Sequence, residues 1–107
     1  MVCLLLYFFV GPQNSVINLN ADGTSFSSIL ATWDYIEASR DLIEGYHVSY
    51  AWGSQKRNET VLHPSQNIEL LGLEATTDYV IEVCPYNVFG QGPCNKVVLT
   101  TPDEGII

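Results

Sequence analysis

Three stretches of the chain alternate apolar and polar residues with a period of two. In Ser27–Trp33 the side chains of Ile29, Ala31 and Trp33 share one face, and Ser28, Leu30 and Thr32 share the other. In Gly45–Trp52 the row is Tyr46, Val48, Tyr50 and Trp52 against His47, Ser49 and Ala51. In Asp78–Asn87 it is Tyr79, Ile81 and Val83 against Val80, Glu82 and Cys84. That period belongs to a half-buried strand, because successive side chains of a strand leave opposite faces. Lys96–Thr101 adds a β-branched run, and Ser15–Asn20, Glu59–His63 and Gln66–Leu71 are shorter candidates. Turn-forming residues punctuate the row at Asp22-Gly23, Gly53-Ser54, His63-Pro64-Ser65 and Gly90-Gln91-Gly92-Pro93. Helical periodicity is hard to find. About seven short strands, each with one apolar face, predict an all-β, antiparallel, Greek-key sandwich of two sheets.

Composition agrees with a single packed domain: 107 residues, 47% hydrophobic and only 15% charged. Twelve acids oppose Arg40, Lys56, Arg57 and Lys96, a net charge of −8. No basic patch is available to neutralise phosphates, so nucleic acid and anionic membrane surfaces are disfavoured as partners. The opening run MVCLLLYFFV ends at Gly11-Pro12 and is too short to span a bilayer, which takes roughly 20 apolar residues. It has the length of a secretory-signal core but lacks a basic stretch before it and a good cleavage site after it. Residues 1–10 are therefore read as an apolar leader, a gene-boundary or cloning remnant, or an extra strand. The domain is expected over 11–102. Proline and then acidic and glycine residues give Thr101–Gly105 the character of a linker, with 103–107 as the tail.

The phenol of Tyr79 stands six residues after Leu73, across the connection Thr76-Thr77-Asp78. A tyrosine opening the sixth strand can bury its ring while its hydroxyl meets backbone a few residues upstream, the tyrosine corner of Greek-key sandwiches. An immunoglobulin domain would carry a cysteine two residues later, where this chain has Ile81, and another on the second strand, where it has none. The pattern over Gly11–Pro102 instead resembles a fibronectin type III domain. The resemblance rests on Trp33 ending the second strand, on Ile43, Gly45, Tyr46, Val48 and Tyr50 opening the third, and on the corner Leu73, Thr77 and Tyr79. Asn87 followed by Gly90 and Gly92, and the close Thr100-Thr101-Pro102, complete it. It implies a core built on Trp33, Tyr46, Leu73 and Tyr79. Two loop positions depart from the family pattern: Ala75-Thr76 replaces its proline–glycine, and Ile36 replaces its proline after the tryptophan.

Cys84 and Cys94 flank the last hairpin, and Cys3 lies in the leader. By alternation Cys84 points away from the core, and Cys94 lies opposite it or one diagonal away. Neighbouring antiparallel strands can offer the spacing of about 5.5 Å between Cα atoms that a disulfide needs. A bridge is expected, with two separate thiols as the alternative. An even pair in the domain and the sequon Asn58-Glu59-Thr60 both fit an oxidising, extracellular setting. The bridge would clamp the base of a loop carrying Tyr86, Val88 and Phe89. The resemblance places that loop at the same end of the sandwich as Asp34–Glu44, which holds Tyr35, Ile36, Arg40 and Leu42. Tyr35, Arg40, Tyr86 and Phe89 together have the composition of a protein-binding patch, and equally that of residues folded onto the rim of the core.

Chemistry is sparse. His47 and His63 are the only histidines, and neither has a motif placing it beside a nucleophile. Zinc-ligand spacing, alternating calcium-loop acids and a glycine loop before a helix are all absent. No enzyme activity, metal, cofactor or small-molecule substrate is expected. The expected role is a non-catalytic extracellular interaction or spacer module of a cell-surface receptor or adhesion protein, binding an extracellular ligand or neighbouring domains. The alternatives are an accessory ectodomain module of a receptor tyrosine kinase or phosphatase, and an intracellular structural module of the muscle-filament kind.

Overall fold

The computed structural model describes residues 11–105; the apolar run with Cys3, and residues 106–107 of the tail, lie outside the described residues. Strands β1 (Ile17–Ser25), β2 (Ser28–Asp34) and β5 (Asn67–Leu70) form one antiparallel sheet in the order β1-β2-β5. Strands β3 (Gly45–Trp52), β4 (Gln55–Leu62), β6 (Asp78–Asn87), the two-residue β7 (Gly90–Gln91) and β8 (Asn95–Thr100) form the other. Its order is β4-β3-β6, with β7 and β8 both paired to β6. The all-β sandwich expected from the alternation is present, with eight strand segments among the described residues.

The three alternating rows bury the faces assigned to them. Ile29, Ala31 and Trp33 look across at Tyr46, Val48 and Tyr50 and at Tyr79, Ile81 and Val83, and all nine are buried. Each large side chain withdrawn from water in this way is worth about 1.5–3 kcal/mol. Trp33 is 2% exposed and packs edge-on against Tyr46 at 5.2 Å between ring centroids. Trp52, at the end of the β3 row, is only half-buried. Its indole N–H donates to Glu74 Oε2 at 2.8 Å, and the Arg57 guanidinium lies 5.3 Å from its ring centre.

The bend before β6 is closed by the corner tyrosine. Tyr79 is fully buried, and its hydroxyl accepts the backbone N–H of Glu74 at 2.8 Å. Leu73 plugs the core beside it, its own N–H donating to the Ser27 carbonyl at 2.9 Å. Thr101 locks the same bend from the far end of the chain. It is 2% exposed, donates its hydroxyl to the Glu74 carbonyl at 2.6 Å and accepts the Thr77 N–H at 3.0 Å. The residues given linker character are thus partly structural: the Pro102 carbonyl accepts from Thr76 N–H and Asp103 Oδ1 accepts from Thr76 Oγ1.

Four details differ from the alternation pattern. Asp22-Gly23 is strand and not turn; β1 runs on to Ser25, and the reversal falls at Phe26-Ser27, where Ser25 Oγ accepts the Ser27 N–H at 3.1 Å. Gly23 marks a close approach instead, since a Cβ there would sit 3.1 Å from the ring of Pro102. Strand β4 starts at Gln55 and not at Glu59, because an edge strand can be polar on both faces: of its eight residues only Val61 is buried. Asp34–Glu44 contains a 3₁₀ helix, Glu37–Leu42, fixed by Ser39 N–H to the Ile36 carbonyl at 2.8 Å. The last hairpin turns at Val88-Phe89, so Gly90-Gln91 pairs with β6 as β7.

Candidate protein-binding surface

The hairpin of β6 and β7 and the loop carrying the 3₁₀ helix meet at one end of the sandwich. Three hydrogen bonds join them. Asn87 Nδ2 donates to the Leu42 carbonyl at 2.9 Å, the Val88 N–H donates to Glu44 Oε1 at 3.1 Å, and the Glu44 N–H donates to the Tyr86 carbonyl at 2.9 Å. A fourth shapes the turn itself, from Phe89 N–H to Asn87 Oδ1 at 2.8 Å. An asparagine suits this position because its amide offers donor and acceptor together. Between the two segments is an open cleft of about 160 Å³ walled by Leu42, Val88 and Phe89, with Asp41 and Glu44 beside them. Val88 is 75% exposed and Phe89 49%.

The hairpin is also held at its base. Cys84 and Cys94 are joined by a disulfide, with Cα atoms 4.2 Å apart. Since Val83 pairs with Asn95, the next step outward sets the two cysteines directly opposite, on the outer face of the sheet. Cys84 lies outside the core as its alternation predicts, yet it is only 4% exposed, covered on that outer face. Beside it Tyr86 lies flat on His47, 4.1 Å between ring centroids, and His47 Nδ1 is hydrogen-bonded to Gln91 Oε1 at 2.9 Å. The entry segment braces the other side of the hairpin. A Cβ on Gly92 would come 2.3 Å from the Pro12 carbonyl oxygen, so only glycine admits this contact.

The four residues with binding composition are distributed by these contacts. Phe89 lines the cleft at the tip. Tyr86 belongs to the outer sheet face, stacked on His47. Arg40 is paired with Glu37 at 2.9 Å, an exposed pair of small energetic weight. Tyr35 packs on the rim of the core, 4.8 Å from the His63 ring. Beneath that rim the Tyr46 hydroxyl and His63 Nδ1 share a hydrogen bond of 2.9 Å. Burial pushes the Tyr46 hydroxyl up to about 12, the Tyr35 phenolate adds to the rise, and the Trp33 indole N–H opposes it. That indole approach is loose: among the described residues Trp33 Nε1 has no acceptor in full hydrogen-bonding geometry. It is a weak polar contact and not a bond. Asn58 is exposed near the middle of β4, paired with Ser49.

Leu42 and Val88 stood on the two expected loops but outside the four-residue binding set, and Glu44 and Asn87 were not assigned to the surface at all. Asn87 had a signal in its place before the spaced glycines; Leu42 lines the cleft and also offers its carbonyl, and Glu44 bonds backbone, contacts that leave no pattern in sequence. Glu82, Cys84 and Cys94 are the one group of potential metal ligands among the described residues, and both sulfurs are already bonded to each other. No helix among the described residues is long and apolar enough to cross a membrane.

A family model described as fibronectin type III domain matches residues 12–101. Contactin-5 of Gallus gallus is 29% identical over 92 residues, covering 81% of this chain and 9% of the relative. Cell adhesion molecule DSCAM of Rattus norvegicus is 30% identical over 104 residues, covering 89% of this chain and 5% of the relative. The chain therefore spans less than a tenth of the curated relatives it matches. Among solved structures, the FN1-FN3 domains of chicken CNTN1 superpose with a TM-score of 0.79 at 21% identity, over 88% of this chain and 33% of that one. An fn3 domain of human contactin 1 gives 0.78 at 21% identity, over 87% and 81%. At these identities the structural matches speak for the fold.

Proposed function

Because this chain belongs to the fibronectin type III family, we propose that it serves as a non-catalytic protein-interaction module of an extracellular, cell-surface adhesion protein. The observation that carries this reading is the braced hairpin tip. Val88 and Phe89 stand exposed on a turn that is fixed by a disulfide below and by Asn87 and Glu44 at the side. A turn whose backbone is held in place before a partner arrives presents its apolar side chains with a smaller ordering penalty on binding. Relatives named as cell adhesion molecules support the setting, and a disulfide accords with an oxidising compartment. Both histidines are engaged structurally, His47 with Tyr86 and Gln91 and His63 with Tyr46, which favours binding over catalysis.

The test is cell aggregation with the full-length parent chain displayed at matched surface density. Val88→Ser with Phe89→Ala is expected to reduce aggregation several-fold while far-UV circular dichroism of the isolated domain stays unchanged. Undiminished aggregation would reduce the module to a spacer and overturn the assignment of the tip.

A further inference from the structure

We propose that Asn58 carries an N-linked glycan, and that the glycan guards the open edge of the β4-β3-β6 sheet. The inference rests on the extracellular reading above, and the sequon Asn58-Glu59-Thr60 supplies the acceptor. A triplet of this kind is common by chance, so the fold must decide whether it can be used. Asn58 and Thr60 are two apart on a strand and so leave the same face. Their cross-strand partners are Ser49 and His47, which belong to the outer row of β3. Both are exposed, and so is Glu59 between them. Among the described residues the Asn58 amide makes no hydrogen bond that a glycosidic link would break. The attached sugar would extend over Ser49 and Glu82, away from the inter-sheet core and from the hairpin tip.

The transfer balances without any residue of the fold taking part. The Asn58 amide nitrogen bonds to the anomeric carbon of an oligosaccharide carried on a lipid pyrophosphate. The bond from that carbon to the pyrophosphate oxygen breaks, the lipid pyrophosphate leaves, and the amide gives up one proton.

Position gives the glycan its second role. Strand β4 has eight residues, is paired only to β3, and leaves its other side open among the described strands. A long open edge is a template for pairing with another chain. Charge guards it partly, through Lys56, Arg57 and Glu59. The outer face beside it is less protected, for Ala51 pairs with Val80 and Val80 with Val98, and the two valines are exposed. A branched, hydrated sugar rooted one row away would obstruct a second copy approaching either the edge or this apolar row.

The experiment secretes the full chain from cultured animal cells behind a heterologous signal peptide, so that it does not depend on what the native chain binds. A mass shift removed by peptide-N-glycosidase F, lost in both Asn58→Gln and Thr60→Ala and kept in Thr60→Ser, is the expected result. Secreted, folded domain lacking the shift would overturn the site, whatever the aggregation assay gives for the tip. Light scattering of wild type against Thr60→Ala is expected to show at least a several-fold greater tendency of the unglycosylated form to self-associate. Equal association of the two would overturn the guarding role while leaving the modification itself in place.

Discussion

Thr76 has φ +50°, the left-handed region that a β-branched residue enters at a cost of about 1–2 kcal/mol. This is the position where the family pattern has glycine, so a departure visible in sequence turns out to be stored backbone strain. Thr76→Gly and Thr76→Ala both lose the exposed bond to Asp103, but only glycine relieves the strain, so Thr76→Gly is expected to be the more stable of the two variants by about 0.5–1 kcal/mol in urea titration. Tyr79→Phe removes the acceptor of the Glu74 N–H and should cost about 1–2 kcal/mol by the same measurement. Tyr46 answers to pH. Its ordinary value of 10 in the unfolded chain rises to about 12 in the fold, so its contribution to stability is complete below pH 10 and is lost as pH climbs to 12. A Tyr46→Phe variant is expected to lose less stability than wild type across that window. At this scale Tyr79 was legible from its spacing after Leu73, and Trp33 from alternation and the family resemblance, whereas the sealing of the corner by Thr101 side-chain bonds to distant backbone was not.

Among the elements, the hairpin of β6 and β7 makes the sharpest demands. A bridge between residues ten apart should contribute about 2–3 kcal/mol by restricting the unfolded chain. Replacing both cysteines by alanine is therefore expected to lower the urea midpoint accordingly. It should also speed amide exchange at Gly92, whose N–H donates to the Pro85 carbonyl at 2.8 Å. Unaltered exchange would mean that the tip is ordered by Asn87 and Glu44 without the bridge. The alternating elements were readable because water sorts their two faces. Two kinds of element escaped that rule. Strand β4 is solvated on nearly every residue, so periodicity could not mark its start. Gly23 was mistaken for a turn because the same residue serves reversals and close backbone contacts, and only the partner, Pro102, tells them apart.

The molecule as a whole is strongly acidic, with a net charge of −8, and the ion pairs among its described residues are exposed and centred on Arg40. Self-repulsion should then be a measurable burden on the folded state. Raising ionic strength from about 10 mM to 150 mM, where the screening length falls to about 8 Å, is expected to raise the melting temperature at pH 7. The gain should shrink close to the isoelectric point near 4.3. Two-sheet architecture was legible because every inner row repeats it; that the hairpin tip and the Asp34–Glu44 loop share one end was implied by the family resemblance, whereas the hydrogen bonds that join them, between residues over forty positions apart, left no mark in the sequence.

The unequal depths of the two indoles make the domain its own optical reporter. Trp33, sealed between the sheets, should emit at short wavelength and resist acrylamide. Trp52, half-open and flanked by a carboxylate and a guanidinium, should supply the red, quenchable share. Light from a single unlabelled sample would thereby separate loosening of the β3–β4 margin from collapse of the interior.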